Sequence, residues 1–152
     1  MAKLLWTPEL ETGISVIDKQ HQRIVEYINK LYHAQEHHSR EEVGLVLDEL
    51  VDYTLSHFAF EENLMEEAEY PFVNAHKRVH DLFTRRVADY QQRFKIGEEV
   101  TDELLTTLRA WLINHIKNDD QDYSDDVRRN LEQLDTRGGG SWLARKMRGF
   151  FS

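Results

Sequence analysis

Residues 57–80 read HFAFEENLMEEAEYPFVNAHKRVH, and this stretch decides the fold. His57 and Glu61 stand four apart, as do His76 and His80, and each pair interrupts an apolar stripe of helical period. Side chains at i and i+4 lie on one face of an α-helix, about one turn apart. Both members of a pair can therefore reach a single point inside a helix bundle. A core position normally takes an aliphatic residue, and a carboxylate buried alone costs several kcal/mol. Glu61 needs a positive partner, and a metal ion supplies one.

Working outward, three more candidate ligands fall on the flanking helical segments. Upstream, Ile17, His21, Ile24, Ile28 and Leu31 follow a 4-3-4-3 rhythm, a core stripe containing a histidine. Downstream, Leu104, Leu108, Trp111 and His115 share one face. From His115 to Asp120 the step is i, i+5, about 140° apart on an ideal helix. These two converge only if the helix ends, or bulges by one residue, between them. Asp119 adjoins Asp120, and spacing alone separates the two.

The pattern predicts four long helices. The first is capped by Asp18 and frays near His37-His38-Ser39; the second covers about Arg40 to Ala68, where Tyr70-Pro71 breaks it. The third carries Val73, His76, His80, Phe83, Val87, Tyr90 and Phe94 and ends at Gly97. The fourth opens on Thr101 as N-cap, and a short helix follows at about Ser124–Leu134. Residues 1–17 read as an extended arm anchored by Leu5, Trp6, Ile14 and Ile17, since Pro8 and Gly13 oppose a continuous helix. The expected fold is all-α, an antiparallel up-down four-helix bundle with an N-terminal arm and a short C-terminal helix.

Composition agrees with that reading. The 152 residues suit one domain with a real core, and 40% apolar with 31% charged residues is ordinary for a soluble protein. A formal charge of −9 argues against nucleic acid as partner. The absence of cysteine rules out disulfides and thiolate chemistry and suits a reducing cytoplasm. The N-terminus lacks the apolar run of a signal peptide, and no apolar stretch has the length of a membrane span.

Gly138-Gly139-Gly140 reads as a linker that divides a bundle, 1–136, from a tail, 137–152. Within the tail Trp142, Leu143, Met147, Phe150 and Phe151 fall on one half of a helix, with Arg145 and Arg148 on the other. Such a basic amphipathic helix either packs on its own body or docks on an anionic membrane surface or acidic partner.

Five histidines and two carboxylates on core faces are too many for one ion. Imidazole-rich ligation with two hard carboxylates suits iron, with zinc and manganese as alternatives by ligand type. Two octahedral ions bridged by both carboxylates and a solvent-derived oxygen would leave one position vacant, suited to one small molecule. His33, His37 and His38 cluster at a helix end and read as solvated.

The order His21 … His57-x3-Glu61 … His76-x3-His80 … His115-x4-Asp120 resembles the hemerythrin signature, and Ile17-Asp18-Lys19-Gln20-His21 and residues 57–65 resemble its flanks. The resemblance covers roughly residues 1–134 and is closest to single-domain bacterial members. It implies that His76, His80 and His115 hold one iron, that His21 and His57 hold the other, and that Glu61 and Asp120 bridge. It implies reversible dioxygen binding for storage, delivery or sensing, by a monomer with no catalytic residues, at the iron held by His21 and His57. The runner-up is a di-iron enzyme reducing oxygen, peroxide or a nitrogen oxide. By the same resemblance Ile24, Phe58, Trp111 and Leu112 wall the oxygen pocket. Tyr123, three residues past Asp120, is placed to hydrogen-bond a ligand carboxylate.

Overall fold

The computed structural model describes residues 4–37, 39–136 and 149–151, the side chains of 118–122 and 131–136 excepted. Helices α1 (Ser15–Glu36), α2 (Arg40–Glu67), α3 (Val73–Lys95) and α4 (Thr101–Asn114) form an antiparallel up-down four-helix bundle. Short connections at 37–39, 68–72 and 96–100 force each helix to run back beside its predecessor. A π-helical turn, His115–Asp120, joins α4 to α5 (Gln121–Thr136) without a break in the helix. α1 packs on α2 and α4, α2 packs on α3, and α5 lies against the C-terminal half of α2. No strand occurs among the described residues.

Leu31, Leu47, Leu50, Leu104, Leu105 and Ile116, all at most 1% exposed, fill the bundle along most of its length. A second, smaller cluster of Ile14, Ile17, Phe60, Leu64, Met65, Tyr70, Tyr123 and Val127 closes the end where α1 begins and α2 finishes. Phe150 and Phe151 pack on this cluster. Their rings approach Phe60 with centroids at 6.0 and 5.8 Å, and Phe151 also meets Tyr53 at 5.3 Å. These two tail residues therefore rest on the protein's own body. Trp142, Leu143, Met147, the glycine run and the four tail cations, Arg137, Arg145, Lys146 and Arg148, lie outside the described residues.

Two helix ends share one solution to their unsatisfied carbonyls. After α2 the Tyr70 N–H donates to Met65 O (3.0 Å) and the Glu69 N–H to Glu66 O (3.1 Å). After α3 the Glu98 N–H donates to Arg93 O (3.0 Å) and the Gly97 N–H to Phe94 O (3.1 Å). Both are Schellman closures, which require a left-handed residue. Gly97 (φ 102°) meets that need freely, whereas Glu69 (φ 57°) meets it against its own Cβ.

Three expectations are corrected, two about helix starts and one about the anchor of the arm. α1 begins at Ser15, so Asp18 lies inside its first turn and does not cap it. The Asp18 carboxylate instead accepts from the Thr12 N–H and hydroxyl (both 2.8 Å) and from the Gly13 N–H (3.2 Å), binding the arm to the helix. Thr101 is the first helical residue of α4, 2% exposed, and the N-cap is Val100 without a side-chain bond. In the arm the buried anchor is Leu4 (5% exposed), and Leu5 points outward (73%). Asn29 fixes that register by pairing both its amide groups with the Leu4 backbone, at 2.9 and 3.0 Å.

Candidate metal centre

Each bundle helix delivers its polar groups through the same apolar face that builds the core. His21 and Gln20 come from α1, His57 and Glu61 from α2, His76 and His80 from α3, and His115 from the start of the π turn. All five imidazoles and Glu61 are at most 5% exposed. Their donor atoms fall into two groups that share Glu61. One is Glu61 with His76, His80 and His115; the other is Glu61 with His21 and His57. Within each group the atoms lie within 4.8 Å of one another.

Glu61 sits at the junction. Its Oε1 has the Nε2 atoms of His57, His80 and His115 at 3.0, 3.4 and 3.9 Å, and its Oε2 has His21 Nε2 at 3.9 Å. The Tyr123 hydroxyl donates to Oε2 at 2.5 Å. Burial pushes the Glu61 carboxyl up, but His57, His115 and His80 outweigh it and hold the group well below the usual carboxylate range. Burial likewise pulls His80 down, and the Glu61 and Glu62 carboxylates outweigh it and raise it overall.

The orientation of the rings follows from their outer nitrogens. His57 Nδ1 meets Gln20 Oε1 at 2.6 Å, and His80 Nδ1 meets Glu62 Oε2 at 3.1 Å. An imidazole that donates Nδ1–H outward presents the Nε2 lone pair inward, as a metal-ligating histidine does. His80 Nε2 and His115 Nε2 face each other at 3.1 Å. Two nitrogens bound to one ion at about 2.1 Å and a right angle are themselves about 3 Å apart. This donor set fits a buried cation by chemistry, orientation and charge.

Residues 12–127 match the family model described as the hemerythrin HHE cation binding domain. The chain belongs to the hemerythrin family. It is 55% identical to the bacteriohemerythrin of Stenotrophomonas maltophilia, with 99% of each chain covered. It is 38% identical to that of Methylococcus capsulatus over 81% of this chain and 95% of the relative. A wild-type hemerythrin crystal structure superposes with a TM-score of 0.79 at 36% identity, covering 83% of this chain and 98% of the other.

Within this hemerythrin fold the remaining predicted residues divide clearly. Phe58 stacks on His80 with centroids 3.9 Å apart and planes 8° from parallel, and Trp111 stacks on His115 at 4.5 Å and 16°. Phe58 and Trp111 meet at 5.5 Å. Ile24 and Leu112 belong to the same buried cluster, and Trp111 is half-buried at its edge. The backbone of Asp120 closes the π turn, so the bulge expected between His115 and Asp120 is present. The Asp119 and Asp120 side chains lie outside the described residues. Gln20 and Glu62, which orient His57 and His80, were not expected from the sequence. Gln20 had a legible signal, since Ile17, Gln20 and Ile24 are spaced 3 and 4 apart on the buried face. Glu62 had none beyond its adjacency to Glu61.

Proposed function

We propose that the centre holds two iron ions and that the protein binds dioxygen reversibly, for storage, delivery or sensing. The observation that carries this reading is the sharing of Glu61 by two buried donor groups, one with three imidazoles and one with two. On this reading His76, His80 and His115 would hold one ion and His21 and His57 the other, with the Glu61 and Asp120 carboxylates as shared ligands. The group with fewer donors among the described residues would be the one to take a small ligand. Ferrous iron held there would supply the electrons that make dioxygen binding strong yet reversible.

The chain's own residues set the conditions. Gln20 and Glu62 hold the His57 and His80 rings with Nε2 turned inward. Tyr123 fixes the Glu61 carboxylate by donating to Oε2, leaving Oε1 toward His57 and His80. Phe58, Ile24 and Leu112, each at most 4% exposed, keep bulk water from the imidazoles, and Trp111 covers His115. With water excluded, these apolar side chains also keep protons of bulk solvent away from the donor groups. Five neutral imidazoles against two carboxylates also favour reversible binding over oxidative chemistry, because anionic ligands are what stabilise high-valent iron.

The test is metal analysis followed by anaerobic reduction, optical titration with oxygen, and removal of the oxygen. About two irons per chain and a spectrum that reverses support the proposal. His57→Ala and His80→Ala should each lower the iron content. One ion per chain, stoichiometric zinc, or irreversible oxidation on first contact with oxygen would sink it.

Phe150 and Phe151 lie against Phe60 and Tyr53, which supports the tail as a packing element of the bundle. No helix among the described residues is long and apolar enough to cross a membrane.

A further inference from the structure

The last turn of α1 carries a second pair of histidines with the same i, i+4 spacing as the core pairs, but on the outside. His33 and His37 are both exposed. Their Nε2 atoms are 3.0 Å apart, and their rings stand at 90° with centroids 4.3 Å apart. Two nitrogens bound to one ion at about 2.1 Å are about 3.0 Å apart at the right angle of tetragonal Cu2+ and about 3.4 Å apart at the tetrahedral angle of Zn2+, so the pair needs little or no movement to close on either. We infer that His33 and His37 form a surface chelate for a divalent transition cation, Cu2+ or Zn2+, separate from the core centre.

Three further observations support it. The pair occupies the C-terminal turn and cap of α1, where the helix dipole presents partial negative charge and favours a cation. The backbone beneath is already helical, since the His37 N–H donates to His33 O at 3.3 Å, so binding orders no new turn. The whole chain carries a formal charge of −9, which raises the local concentration of cations. The site is independent of the core. His33 lies twelve residues beyond His21 along the same helix, about 18 Å at 1.5 Å per residue. No single ion spans that gap. Two imidazoles completed by water suit borderline cations, with Cu2+ bound more tightly than Zn2+ and hard ions such as Mg2+ ignored.

Without an ion, a ring-to-ring hydrogen bond accounts for the same distance, and titration separates the two. Untagged full-length protein with its core metal in place is titrated with Cu2+, followed by electron paramagnetic resonance, and with Zn2+, followed by calorimetry. One equivalent of Cu2+ should bind beyond the core metal, with hyperfine structure from two nitrogens. His33→Ala and His37→Ala should each weaken binding at least about tenfold, a change of about 1.4 kcal/mol. Both variants should keep the core metal content and helicity of the parent. Saturating Cu2+ should raise the melting temperature of the parent by clearly more than that of His37→Ala, because stabilisation follows the affinity for the folded state. His38→Ala should bind as the parent does. The proposal is overturned by the absence of an extra equivalent, by undiminished binding in the His33→Ala/His37→Ala double variant, or by a loss in His38→Ala as large as in His37→Ala.

Discussion

Tyr123, from α5, donates its hydroxyl hydrogen to Glu61 Oε2 from α2 over 2.5 Å, both groups fully buried. This bond ties the helix after the π turn to the carboxylate at the junction of the two donor groups. A hydrogen bond to a charged group contributes about 1.5–3 kcal/mol. Tyr123→Phe should lower stability by about that amount and speed the loss of iron to a chelator, while the helical content stays unchanged. Chelator kinetics and thermal melts check this together; unchanged kinetics would mean that Glu61 is held by its other neighbours alone.

Leu112 is 2% exposed in the same cluster as Phe58 and Ile24. Leu112→Ala should cost about 2–5 kcal/mol, the usual range for a cavity left by a core leucine. The enlarged pocket should admit water, so oxygen release and autoxidation of the oxygenated protein should both quicken. Stopped-flow release and the decay of the oxygenated spectrum measure this. A variant that loses stability with both rates unchanged shows that Leu112 packs the core without walling the pocket.

Glu69 and Gly97 occupy equivalent places in two Schellman closures, and both have positive φ. Glu69→Gly removes roughly 1–2 kcal/mol of left-handed strain and gives back part of it to unfolded-chain entropy. A net gain of roughly 0.5–1 kcal/mol in denaturant melts is expected. Gly97→Ala should show the opposite sign, although no atom stands within 4 Å of the added Cβ. Steric space is not the constraint there; the backbone angle is.

Burial pushes the Tyr53 hydroxyl up to about 12, and the Tyr53 and Phe151 rings have centroids 5.3 Å apart. A raised pKa means that the folded state keeps the proton longer than the unfolded chain does. The associated stability is fully present below the ordinary tyrosine value near 10 and is lost as pH climbs through about 12. Phe151→Ala should expose Tyr53 and move its titration down, a shift visible by nuclear magnetic resonance of ring-labelled tyrosine. A titration that does not move would show that the tail lends Tyr53 no cover.

Much of this was legible because helical period and chemistry coincide. His21, His57, Glu61, His76, His80 and His115 break apolar stripes, so one pattern marked both the core faces and the polar cluster. Helix starts were read less well. Asp18 has the chemistry of an N-cap, but its carboxylate serves the Thr12–Gly13 turn, a contact fixed by the path of the arm. Thr101 was drawn into the core by the packing of α4, which overrides its capping preference. Leu5 and Leu4 differ only in the register of an extended segment, and Asn29, 25 residues away, decides it. Glu62 touches His80 across two helices, and no local spacing encodes that pairing.

The π turn at His115–Asp120 also bears on how this chain tolerates changes in length. On an uninterrupted α-helix the eight residues from His115 to Tyr123 would leave the two side chains about 80° out of phase. The bulge absorbs one residue, which brings the remaining seven to within about 20° and lets both face the same interior. Loss of one residue from 117–119 would straighten the helix and leave Tyr123 in phase. The same loss from the plain α-helix around 106–110 would rotate everything after it by about 100°. Deletions among relatives with a working centre should therefore collect in this one turn and be scarce on either side of it.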